Sequence, residues 1–308
     1  MRIGINTRFL LSNKMEGFGW FTYEITKRLV LNHPEHTFYF FFDRAYDSKF
    51  IFADNVVPVV LHPLARHPIL FKIWFNYSIT YALKKHQIDV FFSPDGYLSL
   101  KTDVPQIGVI HDLNFEHFPE DIPPAPRKYL QKYFPLFAEK AAKIITVSQY
   151  SKNDIVEKYG IEKNKIEVVY NAASPYFKVQ SVEVQEGIKK MFTAGAPFLV
   201  YVGAINPRKN IDRLTKAFQF YKQQSMSTLK LLIVGEKLWT NVKDSDELNE
   251  EVLYTGHVGI EVLAEIVGSA QALCLVSYFE GFGIPLVEAM QSGLPVLSGN
   301  LTSLPEVC

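Results

Sequence analysis

Short apolar runs alternate along this chain with longer amphipathic ones. "RIGIN" (Arg2 to Asn6) reads as a strand, Gly17 to Val30 as a helix, and "TFYFFFD" (Thr37 to Asp43) as a second strand. "DVFFS" (Asp89 to Ser93), "QIGVI" (Gln106 to Ile110) and "KIITV" (Lys143 to Val147) predict further buried strands, with a helix over Pro126 to Ala142 between the last two. The second half begins the pattern again. "PFLVYVG", "LKLLIVG", "VLYTG", "ALCLVS" and "PVLSG" read as strands, and Asn210 to Tyr221 and Ile284 to Gln291 as helices. Strand–helix alternation of this kind predicts parallel sheets covered on both faces. The polar stretch Lys178 to Lys190 separates the halves and places the boundary near Lys178, giving domains 1–178 and 179–308. The fold expected is α/β, two doubly wound domains facing a cleft lined by strand C-terminal ends.

One run stands apart. "HPILFKIWFNYSITYALKK" sets Leu70, Trp74, Tyr77 and Tyr81 at helical spacing, which suits a core-facing stripe or an interfacial one at a membrane. No run reaches the ~18 uninterrupted apolar residues of a spanning helix, and "MRIGINTRFL" lacks a signal-peptide core. A cytoplasmic protein, with peripheral contact at the inner membrane surface as an option, is the expectation. Lysine plus arginine and aspartate plus glutamate both total 32, so bulk charge gives no reason to invoke nucleic acid. The two cysteines, Cys274 and Cys308, predict no disulfide and fit a reducing compartment. The histidine spacing suggests no metal cluster.

The chemistry concentrates in "SYFEGFGIPLVEAMQSGLPVLSG" (Ser277 to Gly299). Gly281 and Gly283 permit a tight turn, and Pro285 suits a first helical turn. The unpaired N–H groups of that turn favour an anion such as phosphate. Helical side chains lean toward the N-terminus, so Glu288 leans back toward the turn that bears Glu280. Carboxylates beside an anion site would accept hydrogen bonds from uncharged hydroxyls, for which sugars are the obvious source. The alternative is helix capping by Glu280 with an exposed Glu288. In "YVGAINPRKNIDRL", Arg208 and Lys209 lie between a strand end and a helix start, where they can neutralise a diphosphate or form an ordinary solvated pair.

In the first half, "QIGVIHDL" ends a strand with His111, which can bond a sugar hydroxyl or move a proton; Asp112 would orient the loop. Gly17 and Gly19 precede a helix. A dinucleotide fold is a rival reading, with Asp43 as its acid, but its fingerprint puts the first glycine directly after strand one. Ser148 and Ser151 look like helix caps.

The pattern "S-x-x-E-G-F-G-I-P-x-x-E-A-M-x-x-G-x-P-V", followed by "S-L-P-E-V", resembles the E-x7-E segment of the retaining glycosyltransferases of family 4, which have the GT-B fold. The "P-R-K-N" loop and the "H-D-L" triplet resemble the same family. The resemblance implies a nucleotide-diphosphate sugar donor and a saccharide or lipid-linked saccharide acceptor, with no resident metal or other cofactor. It implies that Glu288 holds the ribose hydroxyls and that Glu280 and His111 lie near the transferred sugar. Gly281, Phe282, Gly283, Ile284 and Leu286 would bring backbone to the sugar and diphosphate, and Gly17 and Gly19 would contact the donor phosphate or the acceptor. Pro305 and Glu306 would be structural. Many relatives carry arginine directly after the strand glycine, where this chain has Ala204. Relatives also continue past "LPEV", so the C-terminal part is expected to be truncated. That leaves room for a nucleotide-sugar-binding protein without turnover, or a GT-B epimerase or phosphorylase.

Overall fold

The computed structural model describes residues 1–12, 15, 17–236 and 250–308. The chain divides into two compact units, Met1–Val147 with Ser151–Val169, and Ser148–Tyr150 with Tyr170–Cys308. Each is built on one parallel sheet.

Unit 1 contains β1 (Arg2–Asn6), β2 (Thr37–Phe42), β3 (Val56–Val60), β4 (Val90–Ser93), β5 (Gln106–Val109), β6 (Lys143–Thr146) and β7 (Ile166–Val168), in the order β3-β2-β1-β4-β5-β6-β7. The chain winds outward from β1 in one direction, then returns to lay β4 on its other side. Ligands favour the strand ends at such a switch point. Phe38, Phe40, Phe41 and Phe42 are all buried because both faces of the sheet are covered. The sequence reading missed β3 and β7. β3 contains Pro58, which lacks an N–H and is tolerated because β3 is an edge strand.

The run Pro68–Lys85 is helical throughout, with a π turn over Trp74–Ile79. Trp74 is buried and its Nε1 donates to Leu61 O (3.0 Å). Tyr77 and Tyr81, expected on the same face, are exposed. The π turn takes in an additional residue, which rotates the helix beyond it and splits the expected stripe.

Unit 2 contains β8 (Phe198–Val202), β9 (Lys230–Val234), β10 (Val252–Gly256), β11 (Ala272–Leu275) and β12 (Val296–Ser298), in the order β10-β9-β8-β11-β12. The winding repeats that of unit 1, with β8 and β11 flanking the switch point. Its core includes Phe198, Tyr201, Leu231, Ile233, Leu273, Leu275, Leu286 and Leu304. The polar stretch from Lys178 is no linker. It carries the helix Val182–Thr193, capped by Ser181 and anchored by buried Ile188. Residues 170–178, read from sequence as part of the first domain, cluster with unit 2. Phe177 is buried in the second core, and Gln291 Nε2 donates to Ser174 O and Phe177 O (3.0 and 2.8 Å).

Candidate active site

The strand order of unit 2 brings together two loops that are far apart in sequence. β8 runs through Gly203 into the short turn Pro207–Lys209, and β11 runs into Ser277–Gly283. Backbone and side-chain bonds tie the loops. Tyr278 N donates to Arg208 O (2.9 Å), Asn210 Nδ2 to Val276 O (3.0 Å), and Arg208 Nη1 to Phe279 O. Lys209 Nζ donates to Glu280 Oε1 at 2.5 Å, and Arg208 Nη1 lies 3.6 Å from Oε2. Burial alone would push the Glu280 carboxyl up, but the charges of Lys209 and Arg208 outweigh it and hold the group below its usual range. Glu280 is therefore an ionised, buried carboxylate and not a helix cap; no side chain caps the helix Ile284–Gln291.

The Glu280 turn is fixed from the chain's last residues. Glu280 N donates to Thr302 Oγ1 (3.0 Å), and Ser303 Oγ lies 2.9 and 3.0 Å from the carbonyls of Glu280 and Phe282. Gly283 has φ +103°, a left-handed conformation that side chains resist, and a Cβ there would sit 3.2 Å from Leu286 and Leu304. From this bend the helix starts, with Pro285 in its first turn. Leu286 is fully buried and its N donates to Gly283 O (3.0 Å), so it supports the turn and offers no free N–H to a ligand. Ile284 is half-buried, and the buried Phe282 ring packs against Tyr170 (6.0 Å). Glu288, half-buried one turn in, has burial as the cause of its shift, which pushes its pKa up to about 8. Among the described residues no cation compensates that burial, and such a carboxyl is suited to neutral hydroxyl partners.

The buried polar atoms beside these loops that have no hydrogen-bond partner among the described residues include Tyr201 Oη and Asn206 Oδ1. Tyr201 Oη lies 3.0 Å from the position a Cβ on Gly203 would take, and its hydroxyl feels the charges of Glu280 and Arg208. Orphaned buried groups are costly, and a ligand would satisfy them. Sequence reasoning missed both. Tyr201 reads as one more apolar strand residue, and Asn206 as part of a turn.

In unit 1, His111 Nε2 lies 2.8 Å from Pro94 O. A carbonyl only accepts, so Nε2 carries the hydrogen and Nδ1 is an acceptor. Burial lowers the imidazole pKa despite Pro94 O, Asp112 and Asp95, so the ring is neutral. Phe18 and Phe21 meet it edge-on at 4.9 and 4.6 Å. Both rings come from the helix Gly17–Asn32, which the glycine pair opens. Gly19 is buried, and a Cβ there would stand 2.8 Å from Phe9 O; Gly17 is exposed with open space around it. Asp112 accepts from Asn114 N (3.0 Å). Ser151 lies within the helix Gln149–Tyr159, where its hydroxyl donates to His111 O (3.2 Å).

The sequence reading also missed a buried knot at the ends of β1 and β4. Asp95 takes Arg8 Nε (2.7 Å) and Asn6 Nδ2 (2.9 Å), and the Arg8 guanidinium stacks on Tyr97 and Phe9 (4.4 and 4.7 Å). Asp43, the acid of the dinucleotide alternative, is buried against Arg44 and Ala65 N, in a structural role. Glu306 is structural as expected, accepting from Gln149 N, Tyr150 N and Tyr170 Oη. Among the described residues, the grouping able to hold a metal is His33, Glu35 and His36 on the surface turn before β2. It was not anticipated from spacing.

Residues 15–175 match the family model described as Glycosyltransferase Family 4, and residues 186–308 match Glycosyl transferases group 1. The chain is 25% identical over 309 residues to the O-antigen chain mannosyltransferase B of Escherichia coli, covering 95% of this chain and 81% of that protein. It is 27% identical over 204 residues to the O-antigen chain mannosyltransferase RfbU of Salmonella typhimurium, covering 64% and 53%. Among solved structures, WaaG, a glycosyltransferase involved in lipopolysaccharide biosynthesis, superimposes with a TM-score of 0.73 at 15% identity, over 99% of this chain and 83% of that one. Anabaena HepE in complex with UDP and glucose gives 0.73 at 17%, over 99% and 82%. The fold is thus that of the GT-B enzymes.

Proposed function

The chain belongs to glycosyltransferase family 4 and is a glycosyltransferase, and from that premise we propose that it retains configuration while moving a hexosyl unit from a nucleotide-diphosphate sugar to a saccharide or lipid-linked saccharide acceptor of a surface polysaccharide. The observation that carries this reading is the buried carboxylate of Glu280 set against Lys209 and Arg208 where β8 and β11 lie side by side. As the bond between the anomeric carbon and the diphosphate breaks, negative charge grows on the leaving oxygens. Fixed cations and the N–H groups of Gly283 and Ile284 stabilise that charge. The acceptor oxygen bonds to the anomeric carbon on the face the diphosphate leaves, and its proton passes to a phosphate oxygen. No protein nucleophile is needed, so Glu280 acts by charge and position.

Glu288 serves as the hydroxyl acceptor for the ribose, because burial has removed it from water and no cation among the described residues compensates. In unit 1, His111 holds a neutral imidazole whose Nδ1 can accept a sugar hydroxyl. Gly17 and Gly19 serve the donor phosphate or the acceptor. Lys209 and Arg208 supply the positive charge that a divalent ion supplies elsewhere, so turnover is expected to withstand EDTA.

A thermal-shift screen of GDP-, UDP-, ADP- and dTDP-sugars tests the reading, with mannosyl donors first because two relatives are named mannosyltransferases. Binding to the folded state alone raises stability by about 2.7 kcal/mol at a ligand concentration of ~100 Kd. A shift with one donor class, together with acceptor-dependent release of its nucleotide, is the expected result. No shift with any donor, together with no release, overturns the reading.

A further inference from the structure

We propose that an exposed stripe on unit 1, formed by Ile69, Ile73, Tyr77 and Tyr81, docks onto a bilayer surface rich in anionic phospholipid. The four side chains are 64%, 39%, 54% and 66% exposed, and they recur every fourth residue along the helical run Pro68–Lys85. On an unbroken α-helix, four-residue steps drift by about 40° each, and the line would wind off its face. The π turn at Trp74–Ile79 takes in one additional residue and offsets that drift. The core uses a different set of side chains, Trp74, Phe75, Ile79, Ala82 and Leu83, so internal packing does not account for the outer ones.

Within the run itself the charge has one sign. From His62 to Ile88 the chain carries Arg66, Lys72, Lys84 and Lys85 and no aspartate or glutamate, although the whole protein is balanced at 32 and 32. Lys101 Nζ sits 3.0 Å from Tyr77 Oη and 4.4 Å from its ring centroid. The helix Pro124–Lys140 joins the run through Phe71 and Tyr129 (5.7 Å) and adds exposed Lys128 and Lys132. Of the acids near in sequence, exposed Asp103 is drawn toward Lys140 (3.9 Å). Aliphatic and aromatic groups that enter the headgroup layer, rimmed by lysines that attract lipid phosphates, are what an interfacial helix requires. A second copy fits less well, because a two-fold interface would set these cations against themselves.

The test sediments the full chain with vesicles of phosphatidylcholine alone and with about 30% phosphatidylglycerol. Binding at least ~10-fold tighter to the anionic vesicles is expected. The triple variant Ile73→Ser, Tyr77→Ser, Tyr81→Ser should weaken it by ~10-fold or more, and so should Lys72→Glu with Lys101→Glu. Both variants should keep the wild-type Tm and the wild-type response to donor, which separates this face from the donor site. Equal or absent binding to the two vesicle types overturns the proposal, as does wild-type binding by either variant. A concentration-dependent dimer in sedimentation equilibrium, broken by the same triple variant, would also overturn it.

Discussion

Glu288 invites a test in which stability and function move in opposite directions. Its carboxyl pKa rises from an ordinary 4.5 to about 8 because burial disfavours the charged form. The folded state therefore holds the proton more tightly than the unfolded chain does. Below about pH 4.5 the group is neutral in both states and has no effect. As pH rises toward 8, the unfolded chain ionises freely and the folded one does not, so stability falls; above 8 the penalty is constant. A pKa difference of about 3.5, at about 1.4 kcal/mol per pKa unit, sets a ceiling near 5 kcal/mol. The side chain is half-buried, and solvent access reduces this to about 2–3 kcal/mol. Glu288→Gln keeps the shape and removes the charge. In urea unfolding, the variant should match wild type near pH 4.5 and exceed it by about 2–3 kcal/mol at pH 8.5. At pH 8.5, where the carboxyl is ionised, donor binding should weaken by ~10-fold or more, because a neutral amide replaces charge-assisted bonds to hydroxyls. A variant no more stable at pH 8.5, or more stable by the same margin at both pH values, refutes the claim that an uncompensated carboxyl sits there.

Other expectations concern the same loops. Lys209→Ala should lose at least ~10²-fold in kcat/KM, about 2.7 kcal/mol of transition-state stabilisation; near wild-type turnover would remove its role. Tyr201→Phe deletes a buried hydroxyl that has no partner among the described residues, so Tm should hold or rise while donor Kd weakens several-fold in titration calorimetry. A fall in Tm with unchanged Kd would show that the hydroxyl serves the fold. Gly283→Ala forces a side chain into φ +103° against Leu286 and Leu304. A cost of roughly 2 kcal/mol should lower Tm by about 4–8 °C, and an unchanged melting curve would show that the bend relaxes freely.

Much of this architecture is written in local periodicity. Strands that are buried on both faces read as apolar runs, and β1, β2, β8 and β9 stand out for that reason. What escaped depends on context. β7 has three residues, and β3 contains a proline that only its edge position tolerates. The helix Val182–Thr193 looked like a polar spacer because it fully buries only Ile188 and Thr193. The stripe through Trp74 was misread because a π turn cannot be seen in a 3.6-residue pattern. In the site, Arg208, Lys209 and Glu280 were legible as charges at strand ends, with a solvated cation pair as the open alternative. Their mutual ion pairing was not, since it depends on β8 and β11 being neighbours. Tyr201 and the Arg8–Asp95 knot were invisible for the same reason: their meaning comes from partners distant in sequence.

The pairing of Glu280 with both cations has a consequence for selectivity. Taken together, the three side chains carry one net positive charge instead of two. Free inorganic phosphate or sulfate meets a partly neutralised pair and gains little by displacing the carboxylate. A donor that presents phosphates to the cations and hydroxyls to the acid together satisfies all three groups at once. On the proposed function, rejection of the common small anions would already be set by the resting electrostatics, before any substrate arrives.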